Sequence, residues 1–440
     1  MDRDLSVYMD VGSEAVWVGR LWLRENGTAT FRYESDWLRD SRAFALAPSL
    51  ALGEGAFHTS DGNFGAFKDA APDRWGQKLM RHRERNRARD AKQPPRTLVS
   101  ADFLLGVDDE TRLGALRFKG SGGGAFLSQS SSPVAPLLEL RKLLGATNRI
   151  ERGRERKGDL ELVLAPGSSL GGARPKATVR GNDQRLHVVK FPWANDDWPV
   201  IRWEATTLSL AQSAGINIPQ WQLISVQGNA VLLLARFDRD GENLRKPFMS
   251  AMTALDAKDH EDHSYLELVD VLRQVGDAPE ADAEQLWRRM VFNVLVSNTD
   301  DHLRNHAFLR SEKGWRLSPA FDMNPCPLDI RAMHVLALDE LDHTGSLEIA
   351  LSASNYFGVK LSEAKRIAGE VGTSVSTWKS VAEKMGIKKH EIERMASAFL
   401  EKDIKTASSH RATVPTPAQE RVVRKKQKKG RKTSKRSASA

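Results

Sequence analysis

Between Ser297 and Pro327 the chain reads SNTDDHLRNHAFLRSEKGWRLSPAFDMNPCP. Asp300, Asp301, His302 and Asn305 fall within six residues, and Asp322 follows after a short run. Phosphoryl transfer needs few kinds of part. It needs a carboxylate to orient a hydroxyl or take its proton, oxygen ligands for Mg²⁺, and cations for nucleotide phosphates. The spacing Asp300-x-x-x-x-Asn305 offers a base and an oxygen ligand on one loop. Asp322 offers a second hard oxygen ligand, and Mg²⁺ asks for few of them. The same aspartates could instead cap a helix end and a turn. Order and context favour chemistry for the set taken whole.

Protein-kinase catalytic loops carry this Asp–Asn spacing, with Asp as base and Asn on the metal. Here the apolar run MVFNVLV reads as a helix leading into the loop, and HAFLR and GWRLS read as two short strands before Asp322. Upstream, HVVKFP is a strand ending in Lys190, suited to pairing with ATP phosphates. Glu204 opens the next helix and could hold that lysine, although acids also favour helix starts for their own reasons. GSSLGGARPKAT holds Gly167, Gly171, Gly172 and Lys176. Glycines let backbone N–H groups approach phosphate closely, but this pattern is neither Walker A nor G-x-G-x-x-G. LLLARFDRD would supply a connector whose backbone from Ala235 to Phe237 faces a base, or a strand followed by a polar turn.

The elements that must position these residues fall into two halves. AVWVGRLWLRENGTATFRYE alternates around ENGT as a strand pair, and DAAPDRWGQKLMRHRERNRARDAK begins a charged helix near Asp and Pro. FKGSGGGAFLSQSSSPVAP reads as a flexible connection. The segment from Gly158 onward reads as a loop, then a strand pair turning at RGNDQ, then a helix from about Glu204. WQLISVQGNAVLLLARFDR is a further strand pair turning at QGN. From about residue 241 the periodicity is helical. A strand-bearing half followed by a helical half gives an α+β class with two lobes and a cleft between them.

Bulk properties bound the partners. The chain has 440 residues and a formal charge of +9, but ten Lys or Arg and no acid lie in the last twenty residues. Setting those ten aside leaves the other 420 residues at about −1. The tail is expected to be disordered and either binds phosphate backbones or is simply solvated. A lone cysteine, Cys326, cannot form an internal disulfide, and MDRDLSVYMDVG lacks a secretory pattern; a cytoplasmic setting and no membrane are expected. Cys326 reads as a small buried residue near the cleft. His260 and His263 in DHEDH have a metal-ligand spacing, but the surrounding loop favours solvation.

SLGGARPKA, VVKFP, ARFDR, FNVLVSNTDDHLRNHAFL and LSPAFDM occur in an order that resembles HipA-family serine/threonine kinases, the toxins of bacterial toxin–antitoxin pairs. DAAPDRWGQKLM and DFLLGVDDETRLGALRF resemble that family's N-terminal subdomain, and the likeness runs from about residue 10 to 400. It implies a HipA-like subdomain over 1–117, a kinase-like lobe over 118–240, a helical lobe over 241–405 and a disordered basic tail over 406–440. It implies ATP and Mg²⁺ as cofactors, with Asp300 as catalytic base and Asn305 and Asp322 on the metal. Gly171, Gly172, Ala173, Arg174, Pro175 and Lys176 would form the phosphate-covering loop, with Lys190 anchoring ATP. Ala235, Arg236 and Phe237 would be the adenine hinge. His302, Leu303, Arg304 and Phe321 would lie against the nucleotide. Ser169, or its neighbour Ser168, stands at the autophosphorylation position. In the family that phosphate is linked to loop ejection and lost activity, and its charge beside an ATP-phosphate site gives a physical reason.

Ala235 stands where family members often have Glu, so a side-chain contact with the base is lost. The loop reads GGARPK rather than GAQEK, so the protein substrate is expected to differ. The resemblance implies a translation component as substrate, such as an aminoacyl-tRNA synthetase. It also implies a separate HipB-like helix-turn-helix antitoxin and, through it, operator DNA. The alternatives are a kinase-like DNA-binding corepressor acting with that antitoxin, and a small-molecule kinase.

Overall fold

A computed structural model describes residues 2–128, 134–164, 172–330 and 332–413. The first sheet has the order β4-β3-β2-β1-β5, built from β1 (Arg3–Val11), β2 (Glu14–Leu23), β3 (Ala29–Tyr33), β4 (Ala56–Thr59) and β5 (Leu116–Gly120). All its pairings are antiparallel. Gly12, at φ 62°, makes the tight turn between β1 and β2. Leu5, Val7 and Met9 alternate inward along β1 and meet Phe31, Phe67 and Phe118 in a buried aromatic core. Such alternation puts one face of a strand in the core. Because β5 pairs with β1 and ends at Gly120, the N-terminal unit runs slightly past residue 117, into the glycine-rich stretch read as a connection.

The second sheet has the order β6-β7-β9-β8, from β6 (Lys176–Arg180), β7 (Leu186–Lys190), β8 (Trp221–Val226) and β9 (Asn229–Ala235). The turns fall where RGNDQ and QGN place them. Alternation here divides two cores. Val179, Val189, Val231 and Leu233 face helices Leu140–Glu151 and Asp159–Leu164, together with Trp75 and Leu79 from helix Arg74–Asp90. Val188, Leu232 and Leu234 face the main core. Helix Asp159–Leu164 lies in a stretch read as loop; its six residues are too few to show a period. Helix Val200–Ser213 begins before Glu204 rather than at it, at Pro199–Val200.

The helical half surrounds helix Pro279–Leu295, whose last ten residues are all buried. Its buried polar residues Arg288, Arg289 and Asn293 are hydrogen-bonded within that core. Three short antiparallel strands, β10 (Phe248–Ser250), β12 (Ala307–Arg310) and β13 (Trp315–Leu317), lie in the order β10-β12-β13. The two-residue strand β11 (His263–Ser264) runs parallel to β14 (Leu336–Ala337). The final helix, Glu401–Thr413, continues past residue 405 with Ala407 buried, so the ordered chain extends into the segment expected to be disordered. No described helix is long and apolar enough to cross a membrane.

The two halves and the N-terminal unit are joined by buried polar contacts. Asp238 accepts from the backbone N–H of Gly114 at 2.9 Å and from the guanidinia of Arg236 and Arg239 at 2.6 Å each. Those guanidinia also donate to the carbonyls of Glu110, Thr111, Arg112 and Gly114. Nearby, Asp69 accepts from the backbone N–H and the hydroxyl of Ser250, both at 2.7 Å.

Candidate active site

Lys190 is the last residue of β7. Its ammonium donates to Glu204 Oε1 at 2.5 Å and to Asp322 Oδ1 at 2.8 Å. Burial alone would lower the Lys190 pKa, but the two carboxylates outweigh it and raise it. Burial raises Glu204 against the pull of Lys190. Burial would also raise Asp322, yet Lys190 and Lys176 together hold it well below the usual carboxylate range. Glu204 lies inside helix Val200–Ser213 and is fully buried, so it is a partner of Lys190 and not merely a helix-start acid.

Asp322 has φ 58°, a left-handed conformation that Asp tolerates better than most residues. Its neighbours fix it: the Thr207 hydroxyl donates to Met323 O at 2.5 Å, and Asn324 N–H donates to Asn298 Oδ1 at 3.2 Å. Cys326 N–H donates to Ser297 O at 3.0 Å and Val335 N–H to Thr299 O at 3.0 Å. These bonds strap the segment after Asp322 onto the loop that carries Asp300. Cys326 is half-buried rather than buried.

In that loop the two adjacent acids separate. Asp300 is exposed. Asp301 is buried and accepts from Asn293 Nδ2 at 2.9 Å, from His306 Nε2 at 2.8 Å and from the Tyr265 hydroxyl. Asp301 therefore braces the loop against helices Tyr265–Val275 and Pro279–Leu295. Asn305 Nδ2 donates to Asp300 O at 3.3 Å. Among the described residues nothing donates to its buried Oδ1. A buried carbonyl oxygen without a donor is costly unless something else fills its lone pairs. This oxygen and the Asp322 carboxylate are hard donors of the kind Mg²⁺ takes.

The glycine-rich loop meets the same carboxylate. Gly172 has φ 97°, and a side chain there would stand 3.2 Å from Lys176 Nζ and 3.7 Å from Asp322 Oδ2. Lys176 is 2% exposed and donates to Asp73 Oδ2 at 2.8 Å and to Gly172 O at 3.4 Å. Pro175 O accepts from Phe191 N–H at 3.0 Å, and Arg174 pairs with Asp196. Gly167, Ser168, Ser169 and Gly171 lie outside the described residues.

The connector differs from the reading of its backbone as a whole. Ala235 N–H donates to Gln220 O at 2.8 Å and Arg236 N–H to Leu186 O at 3.0 Å, so both are taken up by the sheet. The Arg236 side chain points into the buried Asp238 network, away from any base. Phe237 instead stacks obliquely on Phe321, ring centroids 5.4 Å apart, which joins the connector to the Asp322 segment. Leu303 is buried, His302 is half-buried, and exposed Arg304 pairs with Asp259. His263 Nδ1 lies 3.0 Å from Glu267, and among the described residues no cluster of His, Cys, Asp or Glu is arranged to hold a metal, His260 and His263 included.

Sequence reasoning missed three features: the Asp73–Lys176 pair, the bracing role of Asp301, and the Asp238 network. Only the first left a visible signal. Asp73 precedes a helix as a capping residue, but nothing in its surroundings names Lys176 as a partner.

Comparison with known proteins gives the family and the fold. Residues 168–403 match the family described as HipA-like C-terminal domain, and residues 9–98 match HipA N-terminal domain. "Putative kinase Y4mE" of Sinorhizobium fredii is 23% identical over 146 residues, 31% of this chain and 33% of that protein. "Putative kinase" of Haemophilus influenzae is 24% identical over 223 residues, 44% of this chain and 63% of that protein. The chain thus spans less than two thirds of the length of these curated relatives. The HipA structure of Shewanella oneidensis MR-1, solved with HipB and its operator DNA, superposes with a TM-score of 0.63 at 16% identity. That match covers 92% of this chain and 96% of the other, and shows a shared fold.

Proposed function

This chain belongs to the HipA family, and on that footing we propose that it is an ATP- and Mg²⁺-dependent protein serine/threonine kinase. The observation that carries the reading is the Lys190 ammonium held between Glu204 and Asp322, with Gly172 and Lys176 closing on the same carboxylate. In the proposed reaction Asp300 takes the proton of a substrate Ser or Thr hydroxyl. That oxygen forms a bond to the γ-phosphorus of ATP, the bond to the bridging oxygen breaks, and ADP leaves. Asn305 and Asp322 would hold Mg²⁺, and the bound cation would supply charge neutralisation for the nucleotide phosphates. Lys190 and Lys176 fix the nucleotide phosphates, and Glu204 keeps Lys190 pointed at them. Phe237 and Phe321 flank the base side of the cleft.

Within this reading the protein acts as the toxin of a HipBA-like pair, on a translation component such as an aminoacyl-tRNA synthetase. Its antitoxin is a separate helix-turn-helix protein, through which it reaches operator DNA. Family membership supports these partners, and the Shewanella HipA was solved with HipB and operator DNA. Ser169 or Ser168 is the proposed autophosphorylation site.

Intact-mass and peptide mass spectrometry after incubation with ATP and Mg²⁺ tests the proposal. A single added phosphate on Ser169 or Ser168, absent from Asp300→Asn, is expected. An equally phosphorylated Asp300→Asn protein would mean that the base is misassigned. The basic run after residue 420 favours a second reading, a DNA-binding corepressor. Salt-sensitive DNA affinity lost on deleting 414–440, with no phosphotransfer, would favour it.

A further inference from the structure

The two lysines at the cleft are held in parallel ways. Lys190 has Glu204 behind it, a buried carboxylate with no place in the transfer itself. Lys176 has Asp73, 6% exposed on its side chain and supplied by the N-terminal unit. Asp73 is fixed independently of the lysine. It caps helix Arg74–Asp90, with Oδ1 accepting from Gly76 N–H at 2.8 Å while Oδ2 faces Lys176. The neighbouring Trp75 holds the same strand, donating from Nε1 to Lys176 O at 3.0 Å and from its backbone N–H to Gly172 O at 3.4 Å.

We propose that Asp73 is a positioning residue for the nucleotide phosphates, anchoring Lys176 as Glu204 anchors Lys190. The N-terminal unit is then a working part of the phosphate site. Without a carboxylate at position 73, Lys176 still has Asp322 close by, since one side chain at Gly172 would touch both. An ammonium drawn there would compete with the metal at its ligand and leave the phosphates. Asp73 keeps the two lysines on separate carboxylates, so that Asp322 retains one face for the cation.

The inference rests on the nucleotide reading of the cleft, and one binding experiment separates the two. Calorimetry would compare a non-hydrolysable ATP analogue with Mg²⁺ against adenosine, on the full chain and on Asp73→Asn. Asn is as good a helix cap as Asp, so the variant loses the charge and keeps the cap. The expected result is about tenfold weaker binding of the analogue, the size of one charge-assisted hydrogen bond, with adenosine affinity unchanged. In a Lys176→Met background, Asp73→Asn should add no further loss. Equal weakening of analogue and adenosine, or no weakening of either, would overturn the role of Asp73. Failure of the unaltered chain to bind either ligand would overturn the nucleotide reading itself, and this inference with it.

Discussion

Two buried charge clusters in this protein look alike at first and do opposite things. Around Asp238, two guanidinia and one carboxylate are sealed from solvent, and every remaining donor direction found by the structure ends on a carbonyl between Glu110 and Gly114 or on Asp238 itself. Around Lys190, two carboxylates share one ammonium, which leaves one negative charge in excess. There the Asp322 side chain is 26% exposed toward the cleft, whereas that of Asp238 is 0% exposed. Burial alone does not mark a working site. What separates the two is unfilled coordination: the Asp238 cluster is closed by the protein's own backbone, and the Lys190 cluster leaves the Asp322 carboxylate partly exposed, where the proposed cation and phosphates would sit.

The comparison is broken most severely at Asp238. Asp238→Asn leaves two guanidinia buried without their counter-charge and should cost about 3–5 kcal/mol of stability. Denaturant unfolding measures it, and a variant as stable as the parent would show that the cluster is no clamp. Asp322→Asn should do the reverse. Lys190 keeps Glu204, so the thermal midpoint should hold, while phosphotransfer falls at least about a hundredfold. A large stability loss with activity retained would reverse the assignments.

The smallest effect concerns pH. Asp69 lies at the same junction as Asp238 but is met by Ser250 hydrogen bonds rather than a guanidinium, and burial pushes it up to about 6. Its folded-state value exceeds the unfolded one, so its contribution is full below about pH 4 and is lost as pH rises through 6. His334 works the other way. Burial lowers it to about 4, so its contribution is full above about 6.5 and is lost as pH falls through 4. Between pH 4 and 6 the parent should lose stability relative to Asp69→Asn and gain it relative to His334→Gln. Unfolding curves that stay parallel across that window would remove both assignments.

What was legible in the sequence was local. Strand pairs announced themselves through turns at RGNDQ and QGN, and the Asp300–Asn305 spacing and Asp322 stood within one short stretch. The link from Lys190 to Glu204 also spans only fourteen residues. Partnerships between residues a hundred or more apart could not be read from the sequence. Asp73 and Lys176 are 103 apart, and Gly114 and Asp238 are 124 apart. Neither member of such a pair shows a periodicity that names the other. Which of Asp300 and Asp301 would be buried could not be read from the sequence, because adjacent residues leaving a loop can face opposite ways, and only packing decides. In the connector, strand pairing with Gln220 and Leu186 takes the N–H groups of Ala235 and Arg236, which sequence leaves open.

The same long separations set an order of events during synthesis. The carbonyls of Glu110–Gly114 receive their donors only once Arg236 and Arg239 have left the ribosome, and Lys190 gains its second carboxylate 132 residues after itself. Chains emerge from the N-terminus and fold as their units become available. A nascent fragment that ends before Asp322 therefore has a strand-bearing lobe and no cleft. If the chain is the kinase proposed above, it cannot act on any target until most of it has been made.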